Sequence, residues 1–247
     1  MITLSRDYRG FVPEPVGLVS PWFCRSTGDV VLPVTIKSSD VAPMLMDIFD
    51  PAKFTRLSRW YDYVQDTNSI LKTRGIRVLG DGAYMTAYEY MGVVYKINNK
   101  SYTHTYSDGA YDWTLAAMYA NHRNTPVIHS VLRDGNRFCM TMEKLVYVQD
   151  YMNCETIYQV FDCIMGDKPS KLAGLLRATE YEAFTLLDML KRTKGLTKAA
   201  YDLHDYNVMA RPLMNGGFDF VVTDPFCGSS SYTYAMTDGF EDTKIQS

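Results

Sequence analysis

No stretch of this chain reaches the roughly 18 consecutive apolar residues that a membrane-crossing helix needs. A bilayer span is therefore not expected. An excess of basic charge is also missing. Lys and Arg number 25 against 28 Asp and Glu, a formal net charge of -3, and the two signs are mixed along the chain. A nucleic-acid-binding domain would show a basic stripe, so none is expected. Cysteine is sparse and odd in number: Cys24, Cys139, Cys154, Cys163 and Cys227. Their wide, uneven spacing excludes a disulfide framework or a zinc site and points to free thiols in a reducing cytoplasm. The four histidines, His104, His122, His129 and His204, add no ligand spacing. Met1 to Ser20 is broken by Arg6, Asp7, Arg9 and two prolines, so no signal peptide is expected. Internal repeats and low-complexity tracts are absent.

What remains is a chain of 247 residues, 47% hydrophobic and 21% charged. That suffices for a packed core in one large domain or two small lobes. Six of the ten prolines lie at Pro13, Pro15, Pro21, Pro33, Pro43 and Pro51, which predicts irregular chain with short strands such as Val30–Ile36. A helix is expected from Asp50 as cap and Pro51 at its first position. Phe54, Leu57, Tyr61, Val64 and Leu71 continue it as one apolar stripe.

From Gly75 the pattern turns to strands over Ile76–Leu79, Ala87–Tyr90 and Val93–Ile97, an antiparallel meander. A helix over Asp108–Asn121, strands near Val127–Leu132 and Phe138–Met142, and helices over Tyr151–Ile164 and Leu172–Lys191 follow. Strands near Asn207–Arg211 and Phe218–Thr223 close the pattern. Strands first, then helices with a late hairpin, define an α+β protein in two lobes. The expected division is an N-terminal extension (1–70), a strand-rich lobe (71–146) and a helical lobe (147–247).

Four segments carry chemistry. Leu79-Gly80-Asp81-Gly82 turns one strand into the next; glycines there serve a plain turn or let backbone N–H groups approach phosphates. In Val93-Val94-Tyr95-Lys96-Ile97, alternation sets Val94 and Lys96 on one face and Val93, Tyr95 and Ile97 on the other. A lysine within such a run lies at a solvated edge or meets an anion. Asp202-Leu203-His204-Asp205-Tyr206-Asn207 places an acid and an amide five positions apart. That is the pairing by which a carboxylate takes a hydroxyl proton while the amide helps hold Mg²⁺. Finally, the β-rich run Phe220-Val221-Val222-Thr223 ends in Asp224-Pro225, a strand-end carboxylate or an ordinary turn start. The order of the four carries more weight than any one alone.

These residues resemble the protein-kinase-like superfamily, whose aminoglycoside and choline phosphotransferases share the D-L-H-x-x-N form. Within it the chain is most similar to the early serine/threonine protein kinases of short-tailed phages. The matching segments are Gly80 to Tyr88, Val94 to Lys96, Asp202 to Met209 and Thr223 to Pro225. The resemblance spans roughly residues 76 to 230 and implies a bilobal fold, with a small antiparallel-sheet lobe and a reduced helical lobe.

It also implies site roles. ATP would lie against Gly80 and Gly82, with Ala87 and Val94 on one side of the adenine and Met209 on the other. Met142 stands at the gatekeeper position, and Glu143, Lys144 and Leu145 form the hinge. Lys96 would hold phosphates, Asp202 would be the base, and Asn207 and Asp224 would hold Mg²⁺. His204 takes the place of a catalytic-loop lysine, or is a structural imidazole.

Several departures accompany the likeness. Ala200-Tyr201 replaces His-Arg before the catalytic Asp, so an activation-loop phosphate would find no arginine there. Met85 replaces a third loop glycine. Only Asp108 or Asp112 is available where a helix glutamate normally pairs with the strand lysine. With Ser247 the last residue, neither an A-P-E segment nor the lower peptide-binding helices are expected. Ser229, Ser230, Ser231 and Thr233 follow Asp224 and are candidates for self-phosphorylation, or a polar loop.

The function implied is a phage-encoded, ATP-dependent serine/threonine protein kinase acting on host proteins in the bacterial cytoplasm. The alternatives are a small-molecule phosphotransferase and a catalytically weak kinase-fold protein that binds and inhibits a host protein.

Overall fold

A computed structural model describes residues 37–49, 67–69, 71–82, 85–98, 109–135 and 137–227, with the backbone of three short strands nearer the N-terminus. The chain forms two compact units. One comprises Met1–Thr105 with Ile128–Lys144, the other Tyr106–Val127 with Leu145–Ser247. This division differs from boundaries at 70 and 146. The N-terminal segment belongs to the strand-rich unit, and residues 106–127 belong to the helical one.

In the first unit, β2 (Trp22–Phe23) pairs with β3 (Val30–Val31). A six-stranded antiparallel sheet combines β1 (Ile2–Ser5), β4 (Arg77–Asp81), β5 (Thr86–Tyr90), β6 (Val93–Ile97), β7 (Ile128–Asp134) and β8 (Arg137–Glu143). The strand order is β1-β7-β8-β6-β5-β4. The meander expected from the alternation is thus its β4–β6 edge. A two-residue turn joins β5 to β6, with Met91 at φ 53 and Gly92 at φ 80. Two successive positive φ values match the right-handed twist of a hairpin, and glycine takes the second without a Cβ clash.

The proline-rich start is not irregular throughout: α1 (Ser38–Ile48) is helical with Pro43 inside it. Pro43 removes one helical hydrogen bond, which costs about 3 kcal/mol in a helix interior. Val41, Leu45, Met46 and the following Phe49 are buried with Tyr88, Tyr95 and Ile97 in one core. At roughly 1.5–3 kcal/mol per buried side chain, packing outweighs the proline. The helix is also held at both ends. The Tyr95 hydroxyl donates to the Ser38 carbonyl at 3.1 Å, and the Arg137 guanidinium donates to the Met46 carbonyl in the last turn. Of the helix expected from Asp50, residues 67–69 and 71 are helical, while Asp50 to Val64 lie outside the described residues. So does most of Val30–Ile36, beyond the strand Val30–Val31.

The second unit contains α2 (Ala110–Ala120), β9 (Val146–Tyr147), a 3-10 turn at Val148–Asp150, and α3 (Cys154–Met165). After these come α4 (Pro169–Leu176), α5 (Glu180–Thr197), β10 (Ala200–Tyr201), β11 (Val208–Pro212), β12 (Phe218–Val222) and β13 (Phe226–Cys227). β12, β11 and β9 form one antiparallel sheet, and β10 pairs with β13. Their core gathers Trp113, Phe161, Leu172, Leu186, Leu190 and Phe220.

Two helices replace the single one expected over Leu172–Lys191. Arg177 adopts φ 50 and ends α4. Thr179 then starts α5 with a capping box: its side chain accepts from the Glu182 N–H, and the Glu182 carboxylate accepts from the Thr179 N–H. The T-x-x-E signature was present in the sequence, but the continuous apolar spacing ran across it.

Cys139, Cys154, Cys163 and Cys227 are free thiols, as expected; Cys24 lies outside the described residues. Burial pushes the Cys139 thiol up to about 12, which keeps it protonated and inert. Among the described residues no helix is long and apolar enough to cross a membrane.

Thr179→Ala removes one half of the capping box, and Tyr95→Phe removes the hydroxyl that holds α1. Each substitution is expected to lower stability by about 1 kcal/mol. Urea denaturation should show a lower midpoint for each, with an unchanged slope.

Candidate functional site

In the first unit, strand register decides which candidates share a face. Val94 pairs with Met142, Lys96 with Met140, and Ala87 with Lys96. Directly opposed residues in an antiparallel pair point the same way. Ala87, Val94, Lys96 and Met142 therefore stand on one face, opposite the face that Tyr95 and Ile97 turn toward α1. Val94 and Met142 are buried, and Lys96 is half-buried. Glu143 pairs with Val93, on the face away from Met142, so its backbone is what it shares with the other candidates.

The glycine segment lies at the sheet edge. Gly80 pairs with Ala87 past a bulge at Leu79. Thr86 donates to Asp81 at 2.7 Å, and the Gly82 N–H donates to the Met85 carbonyl at 2.8 Å. A Cβ on Gly82 would press on that carbonyl at 3.3 Å, whereas one on Gly80 would meet nothing within 4 Å. Among the described residues no contact requires glycine at position 80.

Glu89, on the same face as Ala87, accepts from Lys144 at 2.7 Å and from Arg77. These two cations, Lys144 first, hold its carboxyl below the usual range. Lys144 is thereby tied to strand β5.

The second unit joins the remaining candidates. Asp202, Leu203, His204, Asp205, Tyr206 and Asn207 form the loop between β10 and β11. The Asn207 side-chain amide donates to the Asp202 carbonyl at 2.7 Å and to its carboxylate at 3.1 Å. Both acceptors can receive only from nitrogen, so the amide oxygen faces the other way. The Asn207 carbonyl accepts the N–H of Thr223 at 3.0 Å, the N–H of Asp224 at 3.2 Å and the Thr223 hydroxyl at 2.8 Å. The Asp202 N–H closes the knot on the Pro225 carbonyl at 2.8 Å. Residues 16 to 23 positions apart in the chain are thus fixed against one another by three hydrogen bonds through the Asn207 carbonyl and one through the Asp202 N–H.

His204 Nδ1 accepts from the Tyr206 N–H at 3.3 Å, which leaves the neutral ring its proton on Nε2. That nitrogen lies 3.7 Å from the Asp202 carboxylate, and both side chains are a little over 40% exposed. Met209 pairs with Tyr147 and Val221; its neighbours Val208 and Ala210 are buried in the core, so alternation turns Met209 to the opposite face. Leu145, buried, leads directly into β9 and hence to the same sheet.

Phe226 is an anchor that the sequence did not single out. It meets Trp113 edge-on at 6.0 Å and stacks on Tyr201 at 5.7 Å. Gly109, at φ 83, begins α2 where a Cβ would lie 3.0 Å from the Phe226 side chain. Both the backbone conformation and the close approach require glycine there. Tyr201 is part of this stack, and the Lys194 ammonium sits over its ring at 4.3 Å. Asp112 is half-buried on α2; Asp108 lies outside the described residues, as do Ser229 to Thr233.

A polar belt braces the hairpin from the other side. Asp219 is buried and accepts from Arg123 and Arg211, directly opposite on β11. Arg211 also donates to the carbonyls of Arg123 and Thr125. Asn124 donates to the Phe220 carbonyl at 2.7 Å, and Trp113 Nε1 donates to that of Val222 at 3.3 Å. His122 Nδ1 accepts from the Asn124 N–H, so its Nε2 donates to the Glu182 carbonyl at 2.9 Å. Burial holds its pKa below the usual imidazole value.

Among the described residues no group of three or more His, Cys, Asp or Glu side chains is placed to hold a metal. No known family's model matches the chain, and no curated protein matches it significantly.

The depressed His122 value has a consequence for stability. The unfolded chain binds this proton more readily, so the neutral-ring contribution is complete above the unfolded pKa of about 6.5 and is lost as pH falls through the folded value. His122→Gln is expected to flatten the loss of stability between about pH 7.5 and pH 5, measured as urea midpoints across that range.

Proposed function

We propose that this chain is a reduced protein-kinase-like enzyme that transfers the terminal phosphoryl group of ATP to a serine or threonine hydroxyl of a protein. The observation that carries this reading is the knot at Asn207, which holds Asp202 and the Asp224 backbone together while directing an amide oxygen outward. A hydroxyl-activating carboxylate and two oxygen ligands are the groups phosphoryl transfer requires.

The candidate donor set suits Mg²⁺, which takes few protein ligands and completes its shell with water and phosphate oxygens. Asn207 Oδ1 and Asp224 would be those ligands, and the ion would neutralise charge on the phosphates. In the first unit, Lys96 would balance the α- and β-phosphates. Ala87, Val94 and Met142 would give the adenine an apolar face, and Gly80, which packing does not require, would let a phosphate approach the backbone.

In the transfer, the Asp202 carboxylate takes the acceptor's hydroxyl proton as its oxygen bonds to the γ-phosphorus. The bond from that phosphorus to the bridging oxygen breaks, and ADP leaves with the electron pair. His204 Nε2–H, beside Asp202, would donate to an oxygen of the moving phosphoryl group. The acceptor class, host bacterial proteins in the cytoplasm of an infected cell, comes from the motif resemblance alone.

The test is transfer of label from γ-labelled ATP with Mg²⁺ to proteins of a bacterial lysate. Asp202→Asn retains a side-chain acceptor for the Asn207 amide and should fold, yet labelling should fall by about 100-fold or more. Lys96→Met should act similarly. Equal labelling by wild type and Asp202→Asn would exclude Asp202 as the base. Absence of both labelling and Mg-ATP binding would sink the proposal. Nucleotide binding without protein labelling would turn attention to a small-molecule acceptor or a non-catalytic binder.

A further inference from the structure

On the second unit a groove of about 510 Å³ runs beside α5, and the side chain of Tyr201 lines it. Its floor is apolar, from Ile164, Met165 and Ala199, while Lys191, Lys194 and Lys198 line its rim. The spacing of three and then four residues puts the lysines along one side of the helix end. All three are exposed. Among the described residues Asp167 is the sole acidic one lining the groove, and it engages Lys191 at 2.5 Å. Lys194 rests on the Tyr201 ring. A local cationic surplus thus sits on a chain whose net charge is -3.

Gly195 lies within α5 and lines the same groove. Glycine inside a helix costs roughly 0.5–1 kcal/mol relative to alanine. Here an added Cβ would meet nothing within 4 Å, so packing gives no reason for glycine. What glycine does is leave the helix surface low between the lysines, where another chain can come close.

We propose that this groove docks an acidic, extended segment of the phosphoryl acceptor, which makes the enzyme selective for hydroxyls flanked by Asp or Glu. The proposal rests on the kinase reading for the fate of the hydroxyl. Tyr201 is the residue immediately before Asp202, so a segment held here lies next in the chain to the proposed base. From Lys191 to the Lys198 cap that ends α5 the chain advances about 10 Å, the length of three extended residues. Lysines spread over that distance suit several carboxylates in a row; a lone phosphate would need donors that converge. Nucleic acid would seek an aromatic face, but the Tyr201 ring is already engaged by Phe226 and Lys194.

The experiment uses the full chain and two fluorescent peptides of one sequence, a serine flanked by glutamates and its glutamine counterpart. Binding is read by anisotropy without nucleotide, and transfer is read with labelled ATP. The glutamate peptide should bind at least about tenfold tighter, as expected for several exposed ion pairs acting together, and added salt should erase the difference. Lys191→Glu, Lys194→Glu and Lys198→Glu combined should abolish the preference, and Gly195→Leu, which fills the groove without changing charge, should weaken binding. Lys72→Glu, in the other unit, should change neither.

Equal binding of the two peptides, or unchanged binding by the lysine and glycine variants, overturns the proposal. Labelling of both peptides with equal KM overturns it too, while leaving the kinase intact. Glutamate-dependent binding that the variants abolish, with no transfer to any serine, upholds the groove and defeats the kinase reading instead.

Discussion

Asn207 is the residue on which the second unit's candidate site depends. Its carbonyl gathers three donors from the end of β12, and its side chain takes both kinds of oxygen from Asp202. A loop that would otherwise sample many conformations is thereby reduced to one, at the junction of two hairpin strands. Such satisfaction matters because a half-buried carbonyl or amide left unpaired would cost about 1–3 kcal/mol. The same bonds that fix the backbone also orient the carboxylate and the amide oxygen. The structural role of Asn207 and the chemical role proposed for it therefore fall on one residue and are not separable by a single substitution there.

The apolar surroundings protect that arrangement. Phe226 follows Asp224 by two positions and is clamped among Gly109, Trp113 and Tyr201. On the other side, Asp219 and its two arginines fasten the hairpin to the turn after α2. A buried carboxylate needs hydrogen-bonding partners, and the two guanidiniums, one from the directly opposed strand position, supply them to Asp219. In the first unit, strand parity does the corresponding work, turning Tyr95 and Ile97 toward α1 and Val94 and Lys96 away from it.

Elements with strong local periodicity were legible in the sequence. β6 has the expected limits, the β4–β6 meander and the late hairpin lie within a residue or two of expectation, and the face assignment of Lys96 follows from alternation alone. α1 was hidden because six prolines dominated the local signal while the residues that favour a helix, Val41, Leu45 and Met46, act through burial against distant strands. The break between α4 and α5 was hidden because Leu172 to Lys191 keeps helical spacing on both sides of it. Within the candidate site, the D-x-x-x-x-N spacing pointed to Asp202 and Asn207. Phe226, Gly109 and the Arg123–Asp219–Arg211 group were not legible, since their partners lie far apart in the chain and no local pattern marks them.

The second unit is discontinuous: the chain enters it at Tyr106, leaves after Val127, and returns at Leu145. Trp113 on α2 therefore finds its partner Val222 at a separation of 109 residues. At roughly 5–20 residues per second of synthesis, α2 leaves the ribosome on the order of 5–20 s before the hairpin that covers it exists. Throughout that interval Trp113, buried in the finished protein, shares a core with α3 and α5 but lacks the Val222 carbonyl that its indole N–H reaches. The native cover of α2 is therefore completed in stages, first by the helices that follow it in the chain and only later by the hairpin.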